Sequence, residues 1–324
     1  MATKKKLQAP ETALVLRTCY ADMTSHGGFQ WPDEVGAVVT ASDWRKDDEC
    51  GHGLHGWLFG QGDSGASSSI GKPDAKWLVV EVPLPSIVAL GGKIKFPSCT
   101  IRHIGDKLSA TQYLLEHEVR AASVAVIGVT LTGGDDSTLT GGYHSTLTGG
   151  NHSTLTGGDD STLTGGYHST LTGGNHSTLT GGYDSTLTGG YGSTLTGGYD
   201  STLTGGDHST LTGGDDSTLT GGYGSTLTGG DHSTLTGGYD STLTGGYGST
   251  LTGGYDSTLT GGYHSTLTGG YHSTLTGGDK SELRIRKWCS KSERYRTYQA
   301  YVGEDGIEAE KAYRLGENNK FVLA

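Results

Sequence analysis

The sequence predicts an all-β-dominated protein: a β-solenoid of about 16 residues per coil, flanked by an α+β domain and a small β cap. Two observations carry that prediction. From Gly133 to Thr276 the chain repeats GGxxSTLT for 18 octads without a slip, and a fixed period over many copies marks a solenoid or array. Leucine returns at every eighth residue from Leu131 to Leu275, a regularity that a disordered Gly/Ser/Thr tract would not need. The boundaries fall at 1–124 for the first domain, 125–278 for the array and 279–324 for the cap.

Each octad divides into two physical halves. Ser137-Thr138-Leu139-Thr140 is short and β-branched, so it reads as a strand with Ser137 and Leu139 on one face and the two threonines on the other. Gly141-Gly142-Tyr143-His144 reads as a turn, because glycine, Asp and Asn tolerate positive φ. Leucine is the octad's only aliphatic residue and must point inward. Serine then lies inside beside it and both threonines lie outside.

A single octad has no opposing wall. Two octads per coil enclose a thin core between two sheets, and nine such coils at roughly 4.8 Å each would span about 43 Å. Three per coil would make a triangular cross-section, and the first six octads, with DD, YH, NH twice over at their variable sites, do recur every 24 residues. The small Ser/Leu interior favours sixteen.

At this point a resemblance enters. Gly189 to Thr204, GGYGSTLTGGYDSTLT, resembles the 16-residue repeat of bacterial ice nucleation proteins, AGYGSTQTAGxxSxLT. The resemblance implies a β-solenoid whose outward Thr-x-Thr rows order water into an ice-like layer. Here Gly-Gly replaces Ala-Gly, Leu fills every inward site and the array is far shorter, which implies weak nucleation.

Residues 1–124 read as a non-repetitive α+β domain with a mostly antiparallel sheet. Strands are expected at 14–19, 37–40, 77–82 and 93–96, with 100–104 pairing with the last of these. Ser109 to Gln112 reads as a capping box that opens a helix running to about Arg120. Met23–Pro32 and Glu49–Trp57 read as loops. The second places Cys50, His52 and His55 close together. A metal site closed by Cys99 and His103 would need those residues, but no standard ligand spacing is matched, so no metal and no cofactor is expected. Gly53-Leu54-His55, the strand Trp77 to Val82 and the ending Gly306–Leu315 with Lys320–Val322 also resemble an uncharacterised family of bacterial and phage proteins that carry Gly-rich arrays.

Residues 121–132, AASVAVIGVTLT, read as a lead-in coil with extra aliphatics. Residues 283–288, 298–302 and 321–323 read as cap strands, and Lys280 to Arg296 holds seven basic residues against two glutamates. The cap reads as a solvated, aggregation-resistant end; the competing reading is attraction to another copy's acidic array.

Charge and composition narrow the function. The net charge is −11, and no Lys or Arg occurs between Ala121 and Asp279, which argues against nucleic acid. Four cysteines at irregular spacing make no disulfide framework. No apolar stretch follows the lysines of MATKKKLQAPET and no transmembrane run appears, so a cytoplasmic location is expected. The turns hold eight His and twelve Asp. Neither forms a continuous ladder, and a calcium roll would need oxygen ligands at each turn. For an enzyme, Arg17 and His55 of the first domain are the residues to consider, and the reading favours a non-enzyme.

The candidate surface is the Thr-x-Thr array, with ice or ordered water as its partner. On one face it comprises Thr138, Thr140, Thr154, Thr156, Thr170, Thr172, Thr186, Thr188, Thr202, Thr204, Thr218, Thr220, Thr234, Thr236, Thr250, Thr252, Thr266 and Thr268. β-branched rotamers hold hydroxyls and methyls in register, and no charge interrupts the rows. Tyr191, Tyr223, Tyr239, Tyr255 and Tyr271 are expected along one edge, where stacking staples coils or pairs two copies. The alternative is a structural spacer or adhesin-like scaffold whose first domain carries the binding.

Overall fold

The structure, a computed structural model, describes residues 12–324. The basic stretch at residues 1–11 lies outside the described residues. The chain divides into two compact units, 1–131 with 140–146, and 132–139 with 147–324.

The first unit is built on a seven-stranded sheet. Its strands are β1 (Thr12–Cys19), β2 (Val38–Thr40), β3 (Leu54–Leu58), β4 (Lys76–Pro83), β5 (Val88–Ala89), β6 (Ile94–Phe96) and β7 (Ser98–Gly105), in the order β2-β7-β4-β1-β3-β6-β5. Among the described residues its strands pair antiparallel, as expected. β1 and β4 pair over their whole length from Thr12↔Pro83 to Cys19↔Lys76. Both are apolar runs, so this central pair is covered on both faces, with Val15, Leu16, Leu78, Val79 and Val80 fully buried.

Three local expectations are corrected here. β7 pairs with β2 and β4 rather than with β6, whose partners are β3 and β5. Residues 54–57, expected in the loop Glu49–Trp57, belong to β3. Gly56 belongs there because a Cβ would lie 2.5 Å from Val15 Cγ1 and 2.9 Å from the Leu16 carbonyl. The helix runs Lys107–His117, capped by Asp106, whose side chain accepts from the Ser109 N–H while Ser109 answers to the Asp106 N–H. Ser109 is therefore the reciprocal partner of the capping box and not its first residue.

The second unit is a β-solenoid of about sixteen residues per coil. From Thr154 to Thr268 each Thr-Leu-Thr strand pairs in parallel with the strand sixteen residues on, as in Thr202↔Thr218, Leu203↔Leu219 and Thr204↔Thr220. Strands alternate between two sheets, so one holds 154–156, 170–172 and onward, and the other 162–164, 178–180 and onward. The 24-residue recurrence of the first variable pairs does not set the coil.

The inward leucines from Leu147 to Leu283 are fully buried, and so are the serines beside them. Leu283 carries the register one octad past the last GGxxSTLT copy. GGDKSELR at 277–284 keeps the glycines, Ser281 and Leu283 but places Glu282 and Arg284 at the outward sites. That strand, Glu282–Cys289, continues into an antiparallel hairpin with Arg294–Tyr301, while Ala312–Leu315 and Phe321–Leu323 extend the other sheet. Parallel stacking thus gives way to antiparallel strands at this end of both sheets.

Candidate functional site

The outward residues of the coils form two columns of threonine on each sheet. On the face named from the sequence, Thr154↔Thr170↔Thr186↔Thr202↔Thr218↔Thr234↔Thr250↔Thr266 make one column. Thr156 through Thr268 make the other in the same registers. Thr138 and Thr140 sit on a strand that straddles the boundary between the two units. From Thr154 to Thr252 every one of these threonines is exposed, whereas Thr266 and Thr268 are half-buried beside Glu282 and Arg284, which form an ion pair with each other. The opposite sheet carries an equivalent array, exposed from Thr162 to Thr258. Strand geometry sets the spacing at roughly 7 Å along a strand and about 4.8 Å between coils.

The flatness of these rows depends on what lies beneath them. From Ser153 to Ser217 each serine hydroxyl donates to the carbonyl of the second glycine of its own octad, as Ser201 Oγ to Gly198 O at 2.7 Å, whereas the hydroxyls of Ser137 and Ser145 in the first octads are buried without a partner. Later in the array the donation passes to the glycine one coil back, as Ser249 Oγ to Gly230 O at 3.2 Å. A buried hydroxyl with a partner costs little, and here it secures the turn that sets the next strand. Most of these glycines leave no room for a side chain. A Cβ on Gly197 would lie 2.7 Å from Leu203 Cδ1, and one on Gly198 would lie 2.9 Å from the Gly182 carbonyl carbon of the coil before.

The two variable positions also have separate duties. The second always has positive φ, whether it is Asp200 (57°), His208 (56°) or Gly192 (63°), so it admits residues that tolerate the left-handed region. At the first position, Asp and Asn tie coils together through the backbone. Asn151 Oδ1 accepts the Tyr167 N–H at 2.9 Å, and Asp207 Oδ1 accepts the Tyr223 N–H at 2.8 Å. Where tyrosine stands there, rings stack instead, as Tyr239 on Tyr255 at 4.9 Å.

The tyrosines named from the sequence do share one edge. Their ladder runs Tyr191, His208, Tyr223, Tyr239, Tyr255, Tyr271, with ring centroids 4.9–6.4 Å apart. His208, unforeseen from the sequence, bridges the coil where Asp207 interrupts the tyrosines. The other edge stacks Tyr167, Tyr183 and Tyr199, then Tyr247 and Tyr263. His152 and His168 stack at 5.0 Å. Each tyrosine run ends under a cation of the last coil: Lys287 lies 4.5 Å from the Tyr271 ring and Lys280 lies 5.3 Å from Tyr263. With Arg286, which lies 5.4 Å from the Tyr295 ring, three of the seven basic residues of this segment have intramolecular aromatic partners.

In the first unit, the residues weighed for a metal do not converge. Among the described residues there is no group of three or more His, Cys, Asp or Glu placed to hold an ion. Cys99 is buried in β7, its thiol pushed up to about 12 by that burial, whereas Cys50 is exposed. His103 lies 3.2 Å from Ser109 Oγ and stacks on Tyr113. His52 Nδ1 lies 3.8 Å from Asp43. Arg17 and His55, by contrast, do come together: Arg17 Nη1 donates to the His55 carbonyl at 3.2 Å, and both line one open cleft.

Comparison with known proteins adds two findings. A family profile for a domain of unknown function (DUF7666) matches residues 13–116. The chain is also similar to ice nucleation proteins. It is 39% identical over 109 residues to ice nucleation protein InaU of Pantoea ananas, a match covering 33% of this chain and 10% of the relative. It is 38% identical over 122 residues to that of Pseudomonas syringae pv. syringae, covering 37% and 10%. It is 33% identical over 123 residues to that of Xanthomonas campestris pv. translucens, covering 37% and 7%. The matched part thus spans about a tenth or less of these relatives' length. No solved structure is significantly similar to the chain.

Proposed function

We propose that the solenoid is an ice-nucleation-like, water-ordering surface in which the outward Thr-Leu-Thr rows bind ice or an ice-like water layer. The observation that carries this reading is the unbroken, charge-free register of exposed threonines from Thr154 to Thr252. An ordinary solvated surface mixes Lys and Glu among its polar residues. Here the charged residues of the coils are confined to the turns, and an outward charge first appears at Glu282 and Arg284. Threonine presents a methyl and a hydroxyl from one stiff rotamer, so neighbouring coils repeat the same pair of groups at a fixed interval. Interior Ser–Gly bonds, leucine packing and the edge ladders hold that interval. The similarity to ice nucleation proteins supports the same reading.

The array is short, so binding to ice is expected to exceed nucleation. The test is thermal hysteresis together with droplet freezing of the purified chain. Hysteresis above a buffer-matched control supports the reading, and its absence together with background freezing temperatures refutes it.

A second reading makes the array a spacer and gives the binding to the first unit. The specific observation that favours it is the cleft that contains Arg17 and His55.

A further inference from the structure

A cleft of about 880 Å³ opens on the first unit between β1, β3 and the loops at 25–31, 41–53 and 65–69. Arg17 lies at its wall, 8% exposed. Three other cations of this unit have carboxylates: Lys95 pairs with Asp47, Arg102 with Glu81, and Arg120 with Glu118. Arg17 has none among the described residues. Its guanidinium stacks on Trp31, 3.6 Å from the ring centroid, and its Nη atoms donate to the carbonyls of His55 and Thr18. Its Nε–H is buried with no acceptor.

A buried charge without a counter-ion is among the most expensive features a fold can keep. Stacking and two carbonyls offset part of that cost but leave the net charge uncompensated. A second orphan lies alongside, since His55 Nε2 is also buried and unpartnered. The hydroxyls of Thr18, Ser67 and Ser69 form a closed triangle, 2.6–3.1 Å on a side, at the same cleft. Ser67 Oγ also accepts the Ser69 N–H at 3.3 Å, and hydroxyls held in such a triangle can turn to donate to an incoming acceptor. Lys93 also lines the cleft, and Asp43 is the one carboxylate among the lining residues.

We propose that this cleft binds a small ligand through an oxyanion group, carboxylate or phosphate, which supplies the missing counter-ion to Arg17. Arg17 Nε–H and the hydroxyl triangle donate to the oxyanion, and His55 Nε2 meets a further polar atom of the ligand. Arginine suits the role because its planar fork recognises oxyanions while its face stays stacked on Trp31. This site is independent of the threonine rows, and its test does not read ice activity.

The test uses the full chain with sodium phosphate and sodium acetate as probes, each against sodium chloride at matched ionic strength. The readouts are the NMR signal of the Arg17 side-chain Nε–H and the melting midpoint followed by tryptophan fluorescence. One oxyanion or both should shift the signal and, at a hundredfold excess over its dissociation constant, raise the midpoint by about 5 °C or more. A response to phosphate alone or to acetate alone supports the proposal and tells the two sources apart. Arg17→Met should abolish the response while melting no lower than the parent in chloride, since it removes an uncompensated buried charge. No response in the parent to either anion overturns the proposal. So does an unchanged response in Arg17→Met. Should that variant fail to fold, Arg17 is required structurally even without ligand, and the Nε–H signal of the parent decides alone.

Discussion

Asp231 ties its coil to the next through Tyr247: Asp231 Oδ1 accepts the Tyr247 backbone N–H, sixteen residues on, at 2.7 Å. Asp215 does the same for Asp231 at 2.9 Å. A backbone donor in the turn, outside the strand ladder, thus gains an acceptor from the previous coil. This makes the acidic and amide residues of the turns structural and explains why Asp and Asn exchange freely at this position.

Asp231→Ala should accordingly lower stability by about 1–2 kcal/mol, the range for a hydrogen bond to a charged acceptor at a partly exposed site. Asp231→Asn should cost much less, because Asn151 and Asn175 make the same bond. Urea denaturation gives the difference, and hydrogen exchange at the Tyr247 amide locates it. Equal losses in the two variants would contradict the assignment.

The second variable position makes a different demand. Asp200 sits at φ 57°, where a β-branched residue is strained and glycine is not. Asp200→Val should cost roughly 1–2 kcal/mol, while Asp200→Gly should be close to neutral, as Gly192, Gly224 and Gly248 imply. Comparing the two denaturation midpoints checks it.

Much of the second unit was legible in the sequence because one residue type carries its burial. With Leu203 the only aliphatic residue in its octad, it must be inside, and period-two geometry then places Thr202 and Thr204 outside. The interior role of Ser201 was placed but not explained, since its acceptor, the Gly198 carbonyl, depends on the turn. His208 as a bridge between Tyr191 and Tyr223 was missed because it belongs to the other variable column, and only the coil brings it into line. The threonine surface was named residue by residue, but its end at Glu282 and Arg284 became visible only with the register of Leu283.

The first unit was less legible, for reasons that are also local. Two glycines and a histidine beside Leu54 disguised β3, although Gly56 is there to admit the backbone of β1. The partner of β6 depends on sheet order, which no local pattern records. Arg17 could be named beside His55 from the sequence, but only by residue type. Its lack of a carboxylate is a property of the neighbours that folding brings to it.

His55 makes the acid stability of the first unit predictable in sign. Burial first, then the charges of Lys93 and Arg17, hold its pKa down to about 4 from the ordinary 6.5. Between those values the unfolded chain binds the proton and the folded chain does not, so stability is retained above 6.5 and falls as pH drops from 6.5 toward 4. His103, also lowered by burial, acts in the same direction. The melting midpoint of the first unit should therefore fall across this window, and His55→Gln should flatten the fall. A parent midpoint that is flat from pH 6.5 to 4 would contradict this account.

One substitution series decides whether the threonine rows are the working surface. The first variant carries lysine at Thr202, Thr204, Thr218 and Thr220, on the face named from the sequence. The second carries it at Thr194, Thr196, Thr210 and Thr212, on the opposite sheet, and the third combines both. All eight side chains point outward from coils whose leucines and serines are untouched, so circular dichroism and the melting midpoint should stay close to the parent. Thermal hysteresis should fall in each single-face variant and vanish in the combined one. Parent-level activity in the folded combined variant would show that the Thr-Leu-Thr rows are not the working surface.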